Sequence, residues 1–343
     1  MPPGRARVVT MPRPLKAAPG QTLEGRFLLL DEIGRGGMSI VFKARDLEDG
    51  GALVAVKVPL PQYSSGVGSW SMSQREAEIG ETLQHPYILR FVPHAPDRHR
   101  SFVVTEYVEG TTLTSRVGHG RRLAEAEALG ITIRLCEAVD YLHRRGVVHY
   151  DLKPGNVMLC DDGSIRLIDF GMAHKVVTGR FLLSPSAPPV ATAEYVAPEQ
   201  IRRQRGRPSV DIYALGAMLY EMLTGRPPFE NDDPFAVASA REIGDPLAPR
   251  AVNPAISVQV EEIVLRALRR DPAERYRSVA ALMADLARPA RVDVTGLANR
   301  LVAVTPWRKL LRHVRYVTVV GVAPIAFLVA SFRLLWWYLE RKP

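Results

Sequence analysis

Short apolar runs separated by turn residues open the patterned part of the chain. Residues 27–30, 40–44, 53–58 and 102–107 each read as a strand, and together they predict a small β-rich lobe. Residues 74–84 read as helical. Beyond about residue 112 the period changes. Ile131, Leu135, Ala138, Val139 and Leu142 fall on one helical face, and Ile212, Leu215, Met218, Leu219, Met222 and Leu223 on another. Strands first and helices later predict an α+β fold of two lobes, with a ligand held between them. The patterned stretch covers residues 26–287.

Outside it the texture differs. Residues 1–25 are rich in Pro and Arg and lack the apolar run of about 7–15 residues that a secretory signal needs, so they read as a flexible basic arm. Arg5, Arg7, Arg13 and Lys16 are the contact candidates there. Residues 288–315 read as a basic linker, followed at 316–332 by 17 residues without a charge. As a helix that run spans about 25 Å, a little short of a hydrocarbon core of about 30 Å. With Arg333 snorkelling, the span continues to residue 339, and Trp336, Trp337 and Tyr338 form an interfacial belt. Segment 316–339 is therefore expected to be a transmembrane helix; being apolar all round, it suits an interfacial amphipathic helix less well. Arg308, Lys309, Arg312 and Arg315 place the patterned domain on the cytoplasmic side of the cell membrane, although Arg333, Arg341 and Lys342 reduce the asymmetry.

Composition changes this picture only a little. A net charge of +9 brings in nucleic acid and anionic lipid as partners. No helix-turn-helix, zinc-finger or RNA-recognition signature is present, and basic residues beside an apolar run suit membrane lipid, so nucleic acid is not expected. Cys136 and Cys160 are the only cysteines, which disfavours a disulfide framework or a zinc site and fits a reducing compartment.

The candidate chemistry lies in five places. Ile33, Gly34, Arg35, Gly36, Gly37, Met38, Ser39, Ile40 and Val41 follow a strand, and glycines there let backbone N–H groups approach phosphates. A dinucleotide site would want a third glycine opening a helix, and a Walker loop a Gly-Lys-Ser/Thr; neither is present. Sixteen residues beyond Val41 stands Lys57, which strand alternation puts on the same side as Ala55. Glu76, Glu78 and Glu81 compete to pair with it. Then come His149-Tyr150-Asp151-Leu152-Lys153-Pro154-Gly155-Asn156, thirteen residues later Asp169-Phe170-Gly171, and finally Ala197-Pro198-Glu199. Each Asp alone would pass for a turn or cap residue.

Taken together and in this order, over about 260 residues, these segments resemble the protein kinase superfamily, specifically the eukaryotic-like Ser/Thr kinases of bacteria. The resemblance implies a bilobal fold, ATP as phosphoryl donor, Mg²⁺ (with Mn²⁺ able to stand in) and proteins bearing Ser or Thr as acceptors. It implies that Asp151 orients the acceptor hydroxyl and takes its proton, and that Lys153, typical of Ser/Thr kinases, steadies the γ-phosphoryl group. Asn156 and Asp169 would bind the metal, and Glu76 rather than its rivals would pair with Lys57. Val41, Ala55 and Met158 would sandwich adenine, with Thr105 as gatekeeper and Glu106, Tyr107 and Val108 as the hinge. Thr192 would lie near Asp151, Asp211 would brace the catalytic loop, and Glu199 would pair with Arg275.

Three departures stand out. Tyr150 replaces the family's usual Arg, so phosphorylation of Thr178, Ser184 or Ser186 is expected to matter less for activation. Ser39 stands at the third glycine position, a mild change. Gly80 occupies a position where the family places an apolar spine residue; it implies either a mobile helix or tight packing against a bulky neighbour. A membrane pseudokinase scaffold and a small-molecule kinase are the competing readings. Intact Lys57, Asp151 and Asp169 argue against the first, and the Ala197-Pro198-Glu199 and Asp211 segments against the second. A homodimer is admitted by the resemblance, and substrate and signal are left open.

Overall fold

Alternating burial along the first strands shows how the sheet is made. In a computed structural model describing residues 17–60, 67–94, 102–175, 194–202, 208–231 and 233–303, β1 (Thr22–Leu23), β2 (Phe27–Arg35), β3 (Ser39–Asp46), β4 (Ala52–Pro59) and β5 (Val103–Glu106) form one sheet in that order. All its pairings are antiparallel. Val54, Val56 and Val58 point into a core with Phe27, Leu29, Phe42 and Phe102. The period of two then turns Ala55 and Lys57 to the other face, toward the second lobe. Helix α1 (Val67–Gly80) packs beside β5.

The second lobe is mostly helical. It contains β6 (Gly110–Thr112), α2 (Glu125–Arg144), β7 (Val147–Val148), β8 (Val157–Cys160), β9 (Ile165–Leu167), β10 (His174–Lys175) and α3 (Pro198–Ile201). Helices α4 (Ser209–Thr224), α5 (Pro234–Ile243), α6 (Pro249–Val252), α7 (Val258–Ala267) and α8 (Val279–Ala287) follow. Helix α4 is the axis: every residue from Val210 to Thr224 is buried. A helix apolar on all sides belongs in the middle of a protein, and α2, α7 and the α6 turn surround this one. It ends on Gly225, whose φ of 79° places it in the left-handed region and whose close approach to Gly120 leaves no room for a side chain.

Two boundaries differ from the sequence reading. The helix expected over residues 74–84 starts at Val67 and stops at Gly80; turn hydrogen bonds from Glu81 N to Ala77 O (2.9 Å) and Thr82 N to Ile79 O (3.1 Å) close it. The stretch expected to be linker from residue 288 is, as far as Ala303, laid against the helical lobe. Buried Glu262 accepts hydrogen bonds from Thr295 N (3.0 Å), Thr295 Oγ1 (2.5 Å) and Leu297 N (3.2 Å). Residues 1–16, Thr192 and the expected span 316–339 lie outside the described residues. Among the described residues no helix is long and apolar enough to cross a membrane.

Between α3 and the chain after α7, Glu199 and Arg275 form a two-pronged ion pair at 2.7 and 2.8 Å, with both residues buried. Removing one charge from such a pair leaves the other uncompensated, at a cost of about 3–5 kcal/mol. Glu199→Gln, which keeps the shape, is accordingly expected to lower unfolding stability by about 3 kcal/mol in a denaturant titration. A loss below about 1 kcal/mol would show that Arg275 is held by its backbone carbonyl partners instead.

Candidate active site

Lys57 stands where the two lobes meet. Its Nζ lies 2.9 and 3.0 Å from the two carboxylate oxygens of Glu76 on α1, and 2.7 Å from Asp169 Oδ1. Glu78 and Glu81 take no part in this cluster; Glu78 accepts from Gln74. One ammonium thus serves two carboxylates. Burial alone would push the Asp169 carboxyl up, but the charge and hydrogen bond of Lys57, with the N–H of Gly171, together outweigh it and hold that group well below the usual carboxylate range. Burial would likewise lower Lys57, and its two acidic neighbours reverse the effect, keeping it firmly protonated. At Glu76 burial dominates and raises the carboxyl, with Lys57 opposing. Phe170 N also donates to Glu76 (3.3 Å), so helix α1 reads the position of the Asp169-Phe170-Gly171 segment directly.

The loop after β7 carries the second group. Asp151 Oδ2 accepts from Lys153 Nζ at 2.8 Å and from Asn156 Nδ2 at 3.1 Å, and the same amide reaches Asp151 O at 2.8 Å. Ile168 N donates to Asn156 O at 2.9 Å, which staples the residue before Asp169 to this loop. Beneath it, Asp211 on α4 accepts from His149 N (2.9 Å), Tyr150 N (3.0 Å) and His143 Nε2 (2.8 Å). Tyr150 and Asp169 have φ of 67° and 66°. Left-handed backbone at non-glycine residues is strained and persists only where the surroundings hold it.

The glycine turn closes the sheet side. Ile33, Gly34 and Arg35 end β2; Gly36, Gly37 and Met38 form the turn, closed by Gly36 N to Ser39 O at 2.8 Å; Ser39, Ile40 and Val41 begin β3. A side chain at Gly37 would meet nothing within 4 Å, so the turn has open space beside it. Arg35 is engaged by Glu32 at 2.6 Å, on the exposed surface. Across the strands Val41 is paired with Lys57, and Ala55 with Thr105. Glu106 turns its carboxylate to Arg90 N at 3.0 Å, while Met158 sits in β8 opposite Thr112 and Arg166. Val108 follows β5 in the connection between the lobes.

One functional element escaped the sequence reading. The ring of Phe91 meets the ring of Phe170 edge-on, centroids 5.8 Å apart, and Phe170 leans on His149 at 5.1 Å. A Cβ added at Gly80 would fall well inside van der Waals contact with three carbons of the Phe91 ring. Tight packing, not a loosened helix interior, is therefore what Gly80 provides: it is the last residue of α1 and makes room for a bulky neighbour. Phe91 is one apolar residue among many in the sequence, and nothing in its spacing singles it out.

A profile of the protein kinase domain matches residues 27–286. The chain belongs to the protein kinase family. The kinase domain is 36% identical over 268 residues to a probable serine/threonine-protein kinase of Streptomyces coelicolor, an alignment covering 77% of this chain and 40% of that protein. It is 34% identical to the serine/threonine-protein kinases PknB of Mycolicibacterium smegmatis, over 275 residues, and Mycobacterium tuberculosis, over 273, each covering 78% of this chain and 43% of the relative. The match thus spans less than half the length of these curated relatives. Against the family pattern, Tyr150 packs its ring edge-on to His174 of β10 at 5.8 Å, and its carbonyl accepts from Gln200 Nε2 at 3.2 Å.

Two outcomes follow from this geometry. Gly80→Leu should cost about 3 kcal/mol of unfolding stability by driving Phe91 into Phe170, Phe91→Leu about 1 kcal/mol, and the double variant should recover most of the stability lost by Gly80→Leu. Additive losses in that double-mutant cycle would refute the exchange of volume. The second concerns pH. Asp169 is depressed on folding, so its contribution to stability is present above the unfolded carboxyl value of about 3.9 and is lost as pH falls toward the folded value. Lys57 is raised, so its contribution is complete below about pH 10. The stability gap between wild type and Lys57→Met should therefore be full at about pH 6–8 and shrink below about pH 4; a gap independent of pH would mean the pair is electrostatically inert.

Proposed function

We propose that this chain is a membrane-associated, ATP-dependent serine/threonine protein kinase that transfers the γ-phosphoryl group to Ser and Thr hydroxyls of proteins, itself included. The observation that carries the reading is the convergence of Lys57, bound to both Glu76 and Asp169, with Asp151 hydrogen-bonded to Lys153 and Asn156. Phosphoryl transfer asks a protein mainly for positioning and charge neutralisation, and these residues offer both.

In this reading Lys57 Nζ meets the α- and β-phosphates, oriented by Glu76. Backbone N–H groups of the glycine turn cover the phosphate chain. Asp169 and Asn156 would hold Mg²⁺: among the described residues no three His, Cys, Asp or Glu side chains form a ready cage. One carboxylate and one amide oxygen suit an ion that keeps water and substrate phosphates among its ligands. When bound, the ion supplies positive charge along the phosphates. Asp151 receives the acceptor hydroxyl, turns its oxygen toward the γ-phosphorus and takes the proton. Lys153, already 2.8 Å from Asp151, neutralises the transferring group. Val41, Ala55 and Met158 would bracket adenine, with the backbone of Glu106 and Val108 at its edge. Membrane association rests on the uncharged run at 316–332 and the basic residues before it, which suit a bilayer with anionic lipid. A homodimer is compatible with this reading.

Transfer of labelled γ-phosphate by the full chain in detergent, to itself and to a basic protein acceptor, tests the proposal. Asp151→Asn should lower incorporation at least 100-fold with ATP binding nearly unchanged. Equal incorporation by the variant would remove Asp151 from its role, and a wild type that binds ATP without transferring it would point to a scaffold. The full chain should float with anionic vesicles; sedimentation without them would refute the membrane assignment.

A further inference from the structure

We propose that Arg241 is a positioning residue for the segment on which a protein substrate lies, and that the strap of residues 288–303 keeps it in place; this rests on the kinase reading above. The segment Glu194–Arg202 runs beside the catalytic loop; besides the ion pair of half-exposed Arg202 with Glu242 of α5 at its end (3.3 Å), four ties hold it down. Tyr195 Oη donates to Glu221 (2.6 Å), Glu199 pairs with Arg275 (2.7 Å), and Gln200 Nε2 donates to Tyr150 O (3.2 Å). The fourth tie is Arg241 Nη1 donating to Val196 O.

The fourth tie is unlike the others. Arg241 is 0% exposed, and among the described residues its Nε and Nη2 have no hydrogen-bond partner. Its guanidinium lies 5.7 Å from the ring centre of Tyr213 and 5.6 Å from that of Phe229. Ring faces offset part of the cost of burying a cation, and an apolar side chain would avoid that cost altogether. What the charge achieves is a charge-assisted bond to one carbonyl in a medium of low dielectric, where such a bond is strong and directional. That carbonyl belongs to the segment next to Asp151.

Helix α5, which carries Arg241, is anchored from the far end of the described chain. Just beyond the helix, Asp245 N donates to Val302 O (2.8 Å), and Asp245 Oδ2 accepts from Val302 N (2.9 Å). A cavity of about 520 Å³, walled by Phe229, Val237, Leu247 and Leu301 among others, separates the rest of α5 from the strap, so the Asp245–Val302 pairing is the tie between them. A pull on the strap reaches α5, Arg241 and Val196 in turn. The hydrogen bonds that join Lys57, Glu76, Asp169 and the Asp169-Phe170-Gly171 segment involve neither α5 nor the strap. Coupling should therefore fall on the protein substrate and spare ATP.

Steady-state kinetics of the full chain in detergent, with histone as acceptor, decides the matter. Arg241→Met should raise the KM for histone about tenfold, and Val302→Pro, which removes one N–H, about threefold, each with the KM for ATP within about twofold of wild type. Arg241→Lys should restore part of the loss. Parallel changes in both KM values, or a fall in kcat matched by a fall in the fraction of chains binding nucleotide, would reduce Arg241 to a structural residue and overturn the proposal. Amide exchange gives a readout independent of activity: Arg241→Met and Val302→Pro should both speed exchange in residues 194–200 while leaving 147–158 unchanged. Uniform or absent change there overturns the proposal even if the wild type transfers no phosphate, an outcome that would separately refute the kinase reading.

Discussion

The carboxylate of Asp211 is the fixed point of this molecule. It belongs to the buried helix that α2, α7 and the α6 turn pack around, and it is 1% exposed. Burial pushes its pKa up, but hydrogen bonds and positive charge from His143 and the N–H groups of the catalytic loop more than reverse the shift. The loop thus takes its shape from the core. Tyr150 can stay in the left-handed region because its N–H is bound on one side by Asp211 and its carbonyl on the other by Gln200. Asp151, the next residue, inherits its direction from those two bonds.

A second line of force runs from this loop to the smaller lobe through rings: His149, Phe170 and Phe91, in contact one after another. It ends at Gly80, one turn after Glu76 on the same helix. Volume has been exchanged between two neighbouring positions, a side chain absent from the helix and a large ring supplied by the chain after it. Interiors are packed densely enough that such exchanges are tolerated only when the sum is kept. The helix can then carry Glu76 to within 3 Å of Lys57 without a side chain of its own at the contact.

Much of this was legible in the residues. Alternation in β4 located Lys57 and its face, because a period of two admits few alternatives. Helix α4 was legible through one apolar face, from Ile212 to Leu223; its burial on every side comes from the helices packed around it. Glu76 could be separated from Glu78 and Glu81 only by resemblance, since all three lie within six consecutive residues and the deciding partner is far away in sequence. The start of α1 was missed because residues 67–73 mix Val67, Trp70 and Met72 with a glycine and three serines, poor helix formers that leave little amphipathic signal. Arg241 was illegible for a related reason: an arginine in a basic chain reads as solvated surface until tertiary packing closes two aromatic rings over it. The strap was hidden because its stability comes from Glu262 and Asp245, which precede it by thirty residues and more.

That strap sets the length of a leash. Had the chain left the domain at residue 288, 28 residues would separate it from Tyr316, with a maximum reach of roughly 100 Å. Because the described strap holds the chain as far as Ala303, only 12 residues intervene, and the reach falls to roughly 40 Å. If the run from Tyr316 lies in a bilayer as proposed, the face around α5 works within a thin layer above the lipid. The volume it can search shrinks by roughly a factor of ten, as the cube of the reach. Proteins that dwell in that layer are then met at high effective concentration, and proteins in the bulk hardly at all. A handful of hydrogen bonds, most of them to the carboxylates of Glu262 and Asp245, would in this way select substrates by address.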